Sequence, residues 1–271
     1  MPRIDIQEWI AHQTQLLVDH PDLNQEIHCG DGNRHSMIRG LAHRLDAETS
    51  GCLVVGNNRK AFVDLRLQCE QHYWNKQYLC LVYGRIPVNE SIKTITAKLA
   101  KVPKAKGSGN VSHVAEVDNV NGEFAETRFQ VMKYFAKDPL IPGCHKGFTM
   151  VRCRIMTGRT HQIRKHMEHI GHPIMSDFIY ADSVNCMATQ NFCPRVFLHH
   201  FRISIPKPCS DWKIYTTHSV DLPPQLQHVI KNVREKKLES EIFNAMNVLL
   251  LKKSTTIFQS IFSFEFSNNL Q

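Results

Sequence analysis

Apolar and polar positions along the chain change period several times, and each change marks an element. The run GCLVVGN (51–57) is apolar throughout between glycines, as expected of a short buried strand. Asn58 then offers a cap for a helix reaching about Gln71, with Phe62, Leu65 and Cys69 on one face. In QYLCLVYGRI, Tyr78, Cys80 and Val82 alternate with Leu79, Leu81 and Tyr83, so both faces are apolar. A strand buried on both sides belongs in the middle of a sheet. TMVRCRIMT puts Val151, Cys153 and Ile155 on one face and Arg152, Arg154 and Met156 on the other. The pattern then turns helical. Thr160 is the candidate N-cap, Ile163, Met167 and Ile170 form the apolar stripe, and Gly171 with Pro173 ends the helix. Arg164 would then sit in the first turn, near the end of the preceding strand. FLHHFRISI reads as a further strand, closed by PKP.

Other stretches pattern weakly. In residues 1–40, Ile6, Ile10 and Leu16-Leu17-Val18 hint at a helix or a strand entry, and CGDGNRHS is rich in turn residues. AKLAKVPKAKGSGN carries Lys98, Lys101, Lys104 and Lys106 and reads as a mobile basic excursion within residues 87–123. AETRFQVMKYF resumes as a strand. Residues 233–271 look like an appendage to a core spanning 41–232. No repeat occurs, and strands and helices mix without regular alternation. The expectation is an α+β fold around a mixed, mainly antiparallel central sheet flanked by helices and loops.

Composition narrows the function classes. The 271 residues are 42% hydrophobic and 21% charged, enough for a substantial core in one large domain or two small ones. The net charge of +8 suits a polyanionic partner, nucleic acid first. Nine cysteines, an odd number without a CxxC spacing, fit a reducing intracellular setting. No apolar segment follows Met1, and Val248-Leu249-Leu250-Leu251 is far too short to span a bilayer. A soluble intracellular protein, cytoplasmic first, is expected, with nuclear and mitochondrial addresses left open.

For the chemistry, metals come first because there are 16 histidines. His161, His166, His169 and His172 crowd one segment near Asp177, but HExxH is absent and no cysteine pair supports zinc, so no metal site is expected. GxSxG and the phosphate-binding glycine loop are also absent. The best candidate nucleophile is therefore a carboxylate, Asp46, followed by a Thr-Ser-Gly turn. Arg44, two residues away, and Arg164 are the candidate guanidinium partners.

At these residues the chain resembles a known family. HRLDAETSG (His43–Gly51) resembles the catalytic motif HRLDxxTSG of RluA-type pseudouridine synthases. TGRTHQIRKHMEHIGHPIMSD (Thr157–Asp177) is similar to that family's second long signature, NKQYLCLVYG to its K-x-Y strand, and FLHHFRISIPKP to its closing element. Three departures stand out. Ser176 replaces the usual Gly and His200 the usual Ala, and the N-terminal N-K-P-x-G element survives at most as the trace VDHPDL (18–23). No S4-like RNA-binding domain is expected ahead of the core.

The resemblance implies the pseudouridine synthase fold and an RNA uridine isomerase acting on rRNA or tRNA. Asp46 would be the nucleophile on a flipped-out uridine, Tyr78 the tyrosine against the base, and Arg164 the partner of Asp46. Arg44, His43, Thr49, Arg159, His161 and Gln162 would contact RNA, although His43, Thr49, His161 and Gln162 also suit a purely bracing role. An isomerisation needs neither a metal nor an organic cofactor. A monomer with no membrane partner is expected. The alternatives are an RNA-binding or assembly protein that keeps the fold without catalysis, and a metal-dependent nuclease built on the histidine cluster.

Overall fold

The computed structural model describes residues 40–105, 111–135 and 147–233. Expectations for residues 1–39, for Lys106 and for the segment beyond Val233 lie outside the described residues. In chain order the elements are β1 (Ser50–Gly51), α1 (Arg59–Glu70), β2 (Asn75–Tyr83), β3 (Ile92–Ala105), β4 (Val111–Val117), β5 (Glu123–Phe135), β6 (Phe148–Ile155), α2 (Gln162–His169), α3 (Ser183–Gln190), β7 (Leu198–Pro206), β8 (Tyr215–Ser219) and α4 (Pro224–Asn232). The strands form one sheet in the order β1-β7-β2-β6-β5-β3-β4, with β8 also on β7. β1 runs parallel to β7 and every other pairing is antiparallel. The fold is α+β on a mixed, mainly antiparallel sheet.

The doubly apolar strand does lie inside the sheet. β2 is flanked by β6 and β7, and Cys80, Leu81 and Val82 are fully buried. The main core joins these residues to Val151 and Cys153 of β6, Ile163 and Met167 of α2, and Leu226 and Val229 of α4. A smaller cluster under α1 joins Ala42, Leu65, Trp74, Ile203 and Ile205. Asn58 caps α1 by accepting the Ala61 N–H at 2.9 Å. Gly171, at φ +80°, ends α2. Its N–H and that of His172 bond back to the carbonyls of Glu168 and Met167, meeting orphan acceptors of the last turn.

Several expectations change. The run after Gly51 is not a strand of its own, since only Ser50–Gly51 pairs in the sheet and Leu41 meets Val55 in a single bridge. Its apolar residues instead pack half-buried, Cys52 and Val54 against the cluster under α1. The lysine-rich excursion is a strand. β3 pairs with β5 along Ile92–Leu99 and with β4 along Leu99–Ala105, so beyond Leu99 it is one half of a two-stranded ribbon. Pro103 and the exposed lysines are tolerated there because one edge has no further strand to bond. Thr160 does not cap α2. His161 holds that position in a left-handed conformation without a side-chain cap, and the Gln162 side chain meets the Arg159 N–H instead. α3, β8 and α4 carry too few periodic apolar positions to stand out in the sequence.

Candidate active site

The HRLD segment is not regular structure, so backbone bonds to its surroundings hold it. The Ala42 N–H donates to the Val54 carbonyl at 3.1 Å, and the Val54 N–H donates to His43 Nε2 at 3.1 Å. His43 is buried, and burial first, then the charge of Lys76, lowers its pKa to about 3, so the imidazole is neutral and can accept that bond. After Asp46 the chain turns, with the Thr49 N–H on the Asp46 carbonyl at 2.9 Å. It then locks onto β7, where Cys52 N–H donates to the His200 carbonyl at 2.8 Å. Gly51, at φ +126°, makes this approach possible. A Cβ there would lie 2.2 Å from the His200 carbonyl oxygen.

Opposite this turn stands Arg164, in the first turn of α2 and 6% exposed. Its Nε and Nη2 donate to the two carboxylate oxygens of Asp177, each at 2.7 Å. Nη1 points the other way and lies 3.6 Å from Asp46 Oδ2. Burial works to lower the Arg164 pKa, but its bonds to Asp177 and the charges of Asp177 and Asp46 outweigh that and leave it raised. The guanidinium also lies over the Tyr180 ring at 5.2 Å. The Tyr180 hydroxyl accepts the Ala115 N–H at 2.7 Å and bonds His161 Nδ1 at 2.9 Å. The left-handed backbone of His161 leaves its Nε2 4.0 Å from Asp46 Oδ1. Burial lowers the His161 pKa, opposed by the charge of Asp46.

Tyr78 forms the back of the site. The pairing of β2 with β7 shifts register between Gln77 and Leu79, so Tyr78 sits at a bulge that re-aims its side chain. Its ring stacks on His200 with centroids 4.5 Å apart and planes 15° apart. Burial first, then the nearby Asp46 charge, raises the Tyr78 pKa above that of a free phenol, so the hydroxyl stays protonated.

These groups line one open cleft of about 710 Å³. The cleft brings together Asp46, Tyr78, Arg164, Arg44, His43, Thr49, Arg159, His161 and Gln162, all nine residues singled out from the sequence. Their surroundings differ. Gln162 is buried, and its amide is fully engaged: Oε1 accepts from Thr157 and Arg159, and Nε2 donates to the Glu126 carbonyl and to Thr127. The polar atoms of Gln162, and Nε2 of the buried His43, are thus bonded within the fold. Arg159 pairs with Glu123 at the rim, while Arg44 and Lys101 have no carboxylate partner among the described residues. Sequence reasoning missed Asp177 as the clamp on Arg164, Tyr180 as the support of His161, and His200 as the stacking partner of Tyr78. A guanidinium on a buried helix turn calls for a buried acid, and Asp177 closes the same signature. The histidine cluster disperses: His166 bonds Thr127, His172 bonds the Tyr83 carbonyl, and His169 is exposed. Among the described residues no group of three or more His, Cys, Asp or Glu side chains could hold a metal ion. No helix among them is long and apolar enough to cross a membrane.

The family model described as RNA pseudouridylate synthase matches residues 20–169, more than half of the chain. The chain belongs to this family. The match begins upstream of the HRLD segment, inside the stretch that patterns weakly. Among relatives, the chain is 29% identical over 247 residues to a ribosomal large subunit pseudouridine synthase C of Vibrio vulnificus, covering 86% of this chain and 71% of the relative. It is 35% identical over 218 residues to the protein of the same name from Vibrio cholerae, covering 76% and 63%. The chain spans 71% and 63% of these two relatives' own length. A solved human structure, RNA Pseudouridylate Synthase Domain Containing 4, superposes with a TM-score of 0.52 at 18% identity, covering 70% of this chain and 74% of that one. That likeness concerns the fold.

Proposed function

We propose that the chain is an RNA pseudouridine synthase that isomerises uridine in rRNA or tRNA, with residues 41–232 as its catalytic domain. The observation that carries this reading is the state of Asp46. Its carboxylate opens into the cleft with a fixed guanidinium nitrogen 3.6 Å away, and no hydrogen bond occupies its oxygens among the described residues. Such a carboxylate is oriented yet free to attack. Asp46 adds to the uridine at ribose C1′ or base C6. The glycosidic C1′–N1 bond breaks and its electron pair leaves with the uracil. The ring turns, C5 bonds to C1′, Asp46 is released, the C5 proton departs and N1 takes up a proton. Reactants and product are isomers, so no co-reactant enters.

The remaining side chains take roles that follow from their surroundings. Arg164 holds Asp46 in place. Tyr78 packs on the base as a neutral phenol. Its raised pKa disfavours a standing phenolate, so its hydroxyl passes the C5 proton on rather than storing it. Arg44, exposed beside Asp46, fills the gap left by the extruded nucleotide, and Arg159, Thr49 and His161 face the RNA. C5 and C1′ are out of reach in a stacked helix, so the uridine must flip out, at a cost of a few kcal/mol that is least in loops and bulges. The test is carbodiimide-based pseudouridine mapping of total RNA treated with wild type or with Asp46→Ala. Sites that appear with wild type alone support the reading. A folded wild type that binds RNA and makes no new site would favour an RNA-binding protein that keeps the fold without the chemistry.

A further inference from the structure

We infer that His200 is a positioning residue whose ring, anchored on the HRLD–TSG loop, sets the plane of Tyr78 in the cleft. The inference deepens the reading above, because it matters for turnover only if Tyr78 packs on the uridine.

Tyr78 keeps its pairing with Cys153 of β6 and its place in the core but lacks two other restraints. It sits at a bulge, where the ladder to β7 is interrupted, and its hydroxyl has no hydrogen-bond partner among the described residues. What fixes its ring is packing, and among the described residues the stacked His200 ring is the one aromatic face parallel to it. His200 is itself held at several points. It is fully buried, its Nδ1 bonds the Cys52 carbonyl at 2.8 Å, and its own carbonyl accepts the Cys52 N–H at 2.8 Å. The His43 ring meets its edge at 5.8 Å and 89°, and Trp74 meets His43 in turn at 5.3 Å and 88°. The second ring nitrogen, Nε2, is buried with no partner among the described residues. Burying an unpaired polar atom is unfavourable, so packing alone would prefer a phenyl ring here. The imidazole is explained by its Nδ1–H, which ties the ring plane to the loop that ends in the turn after Asp46. A column Trp74–His43–His200–Tyr78 thus joins the loop carrying Asp46 to the ring that would meet the base.

The test labels the chain with 3-fluorotyrosine and assigns the Tyr78 fluorine resonance with Tyr78→Phe. His200→Ala and His200→Leu remove the ring, the second without opening a cavity. His200→Phe restores a ring. All three lose the bond to Cys52, so a difference between Phe and the other two belongs to the stack. With in-vitro-transcribed large-subunit rRNA as probe, Ala and Leu should shift and broaden the Tyr78 resonance and lower kcat by about tenfold. The Kd for that RNA should stay within about twofold in every variant, since the contact acts on turnover and not on ground-state binding. His200→Phe should move the resonance less than Ala or Leu does and recover part of kcat, the remaining deficit belonging to the lost tether to Cys52. An unmoved resonance in both Ala and Leu, or Phe behaving as they do, overturns the inference. If wild type makes no pseudouridine in any RNA, the proposed function fails instead, and the fluorine spectra alone decide the role of His200.

Discussion

Two carboxylates face the same guanidinium from opposite kinds of surroundings. Asp177 is fully buried, accepts both prongs of the Arg164 fork, and takes the Ile179 and Tyr180 N–H groups on Oδ1. Asp46 is 24% exposed, stands off at 3.6 Å, and keeps its lone pairs open to the cleft. One arginine therefore serves two ends. The saturated pair fixes where the guanidinium is, and the unsaturated pair leaves a carboxylate aligned but unoccupied. A hydrogen-bonded acid serves as a structural part, whereas an acid with no hydrogen bond on its oxygens among the described residues, beside a fixed cation, suits the nucleophile's role proposed above. On this contrast the proposed chemistry falls to Asp46 rather than to its better-bonded neighbour.

The contrast can be broken from the buried side. Asp177→Ala leaves two nitrogens of the buried Arg164 guanidinium unpaired, with only the looser contact to Asp46 remaining, and breaking such a buried pair costs about 3–5 kcal/mol. Urea unfolding should show a loss of this size, and a loss below about 1 kcal/mol would mean that Asp177 is no clamp. Next in size is the turn that carries Asp46. Gly51→Ala puts a Cβ against the His200 carbonyl at a left-handed φ, a strain of roughly 1–3 kcal/mol. Thermal melts should register it, and turnover should fall with it because Asp46 shifts.

The neutral histidines around the site give a pH dependence. In the fold, burial lowers His43 to about 3 and both His166 and His200 to about 4, against 6.5 for a free imidazole. The unfolded chain thus binds more protons than the fold between pH 6.5 and about 4. Stability should fall as pH drops through that window and level off above it. Melting temperatures that stay flat from pH 7 to about 4.5 would contradict the buried, neutral rings. The smallest effect belongs to an ion pair of the exposed kind. Arg66 and Glu70 pair at 2.6 Å on α1 with Glu70 half in solvent, and Glu70→Ala should cost only about 0.3–0.5 kcal/mol.

Much of this arrangement could be read from residue order, and the misses have two causes. β2, β6, β7, α1 and α2 announce themselves because their apolar positions face a core on a fixed period. The HRLD and HQIR segments point to the site because each packs charged residues into short stretches where bulk structure would not tolerate them. The β3–β4 ribbon was hidden because β3 is exposed from Lys101 through Lys104, and the buried Leu99, Val114 and Ala115 are too few to set a period. It therefore reads as a loop, with Pro103 and four lysines within fourteen residues of Lys93. Asp177 and His200 were hidden for a different reason. Their partners, Arg164 and Tyr78, lie 13 and 122 residues away, and only the folded sheet brings the second pair together.

The central claim is that the cleft-facing carboxylate, Asp46, performs the chemistry. Single-turnover release of tritium from RNA labelled at uridine C5 tests it directly, comparing wild type with Asp46→Asn, which keeps the size of the side chain and removes its charge. The account predicts tritium release by wild type and none by Asp46→Asn, with the melting temperatures of the two proteins nearly equal. Release by Asp46→Asn at close to the wild-type rate would contradict it.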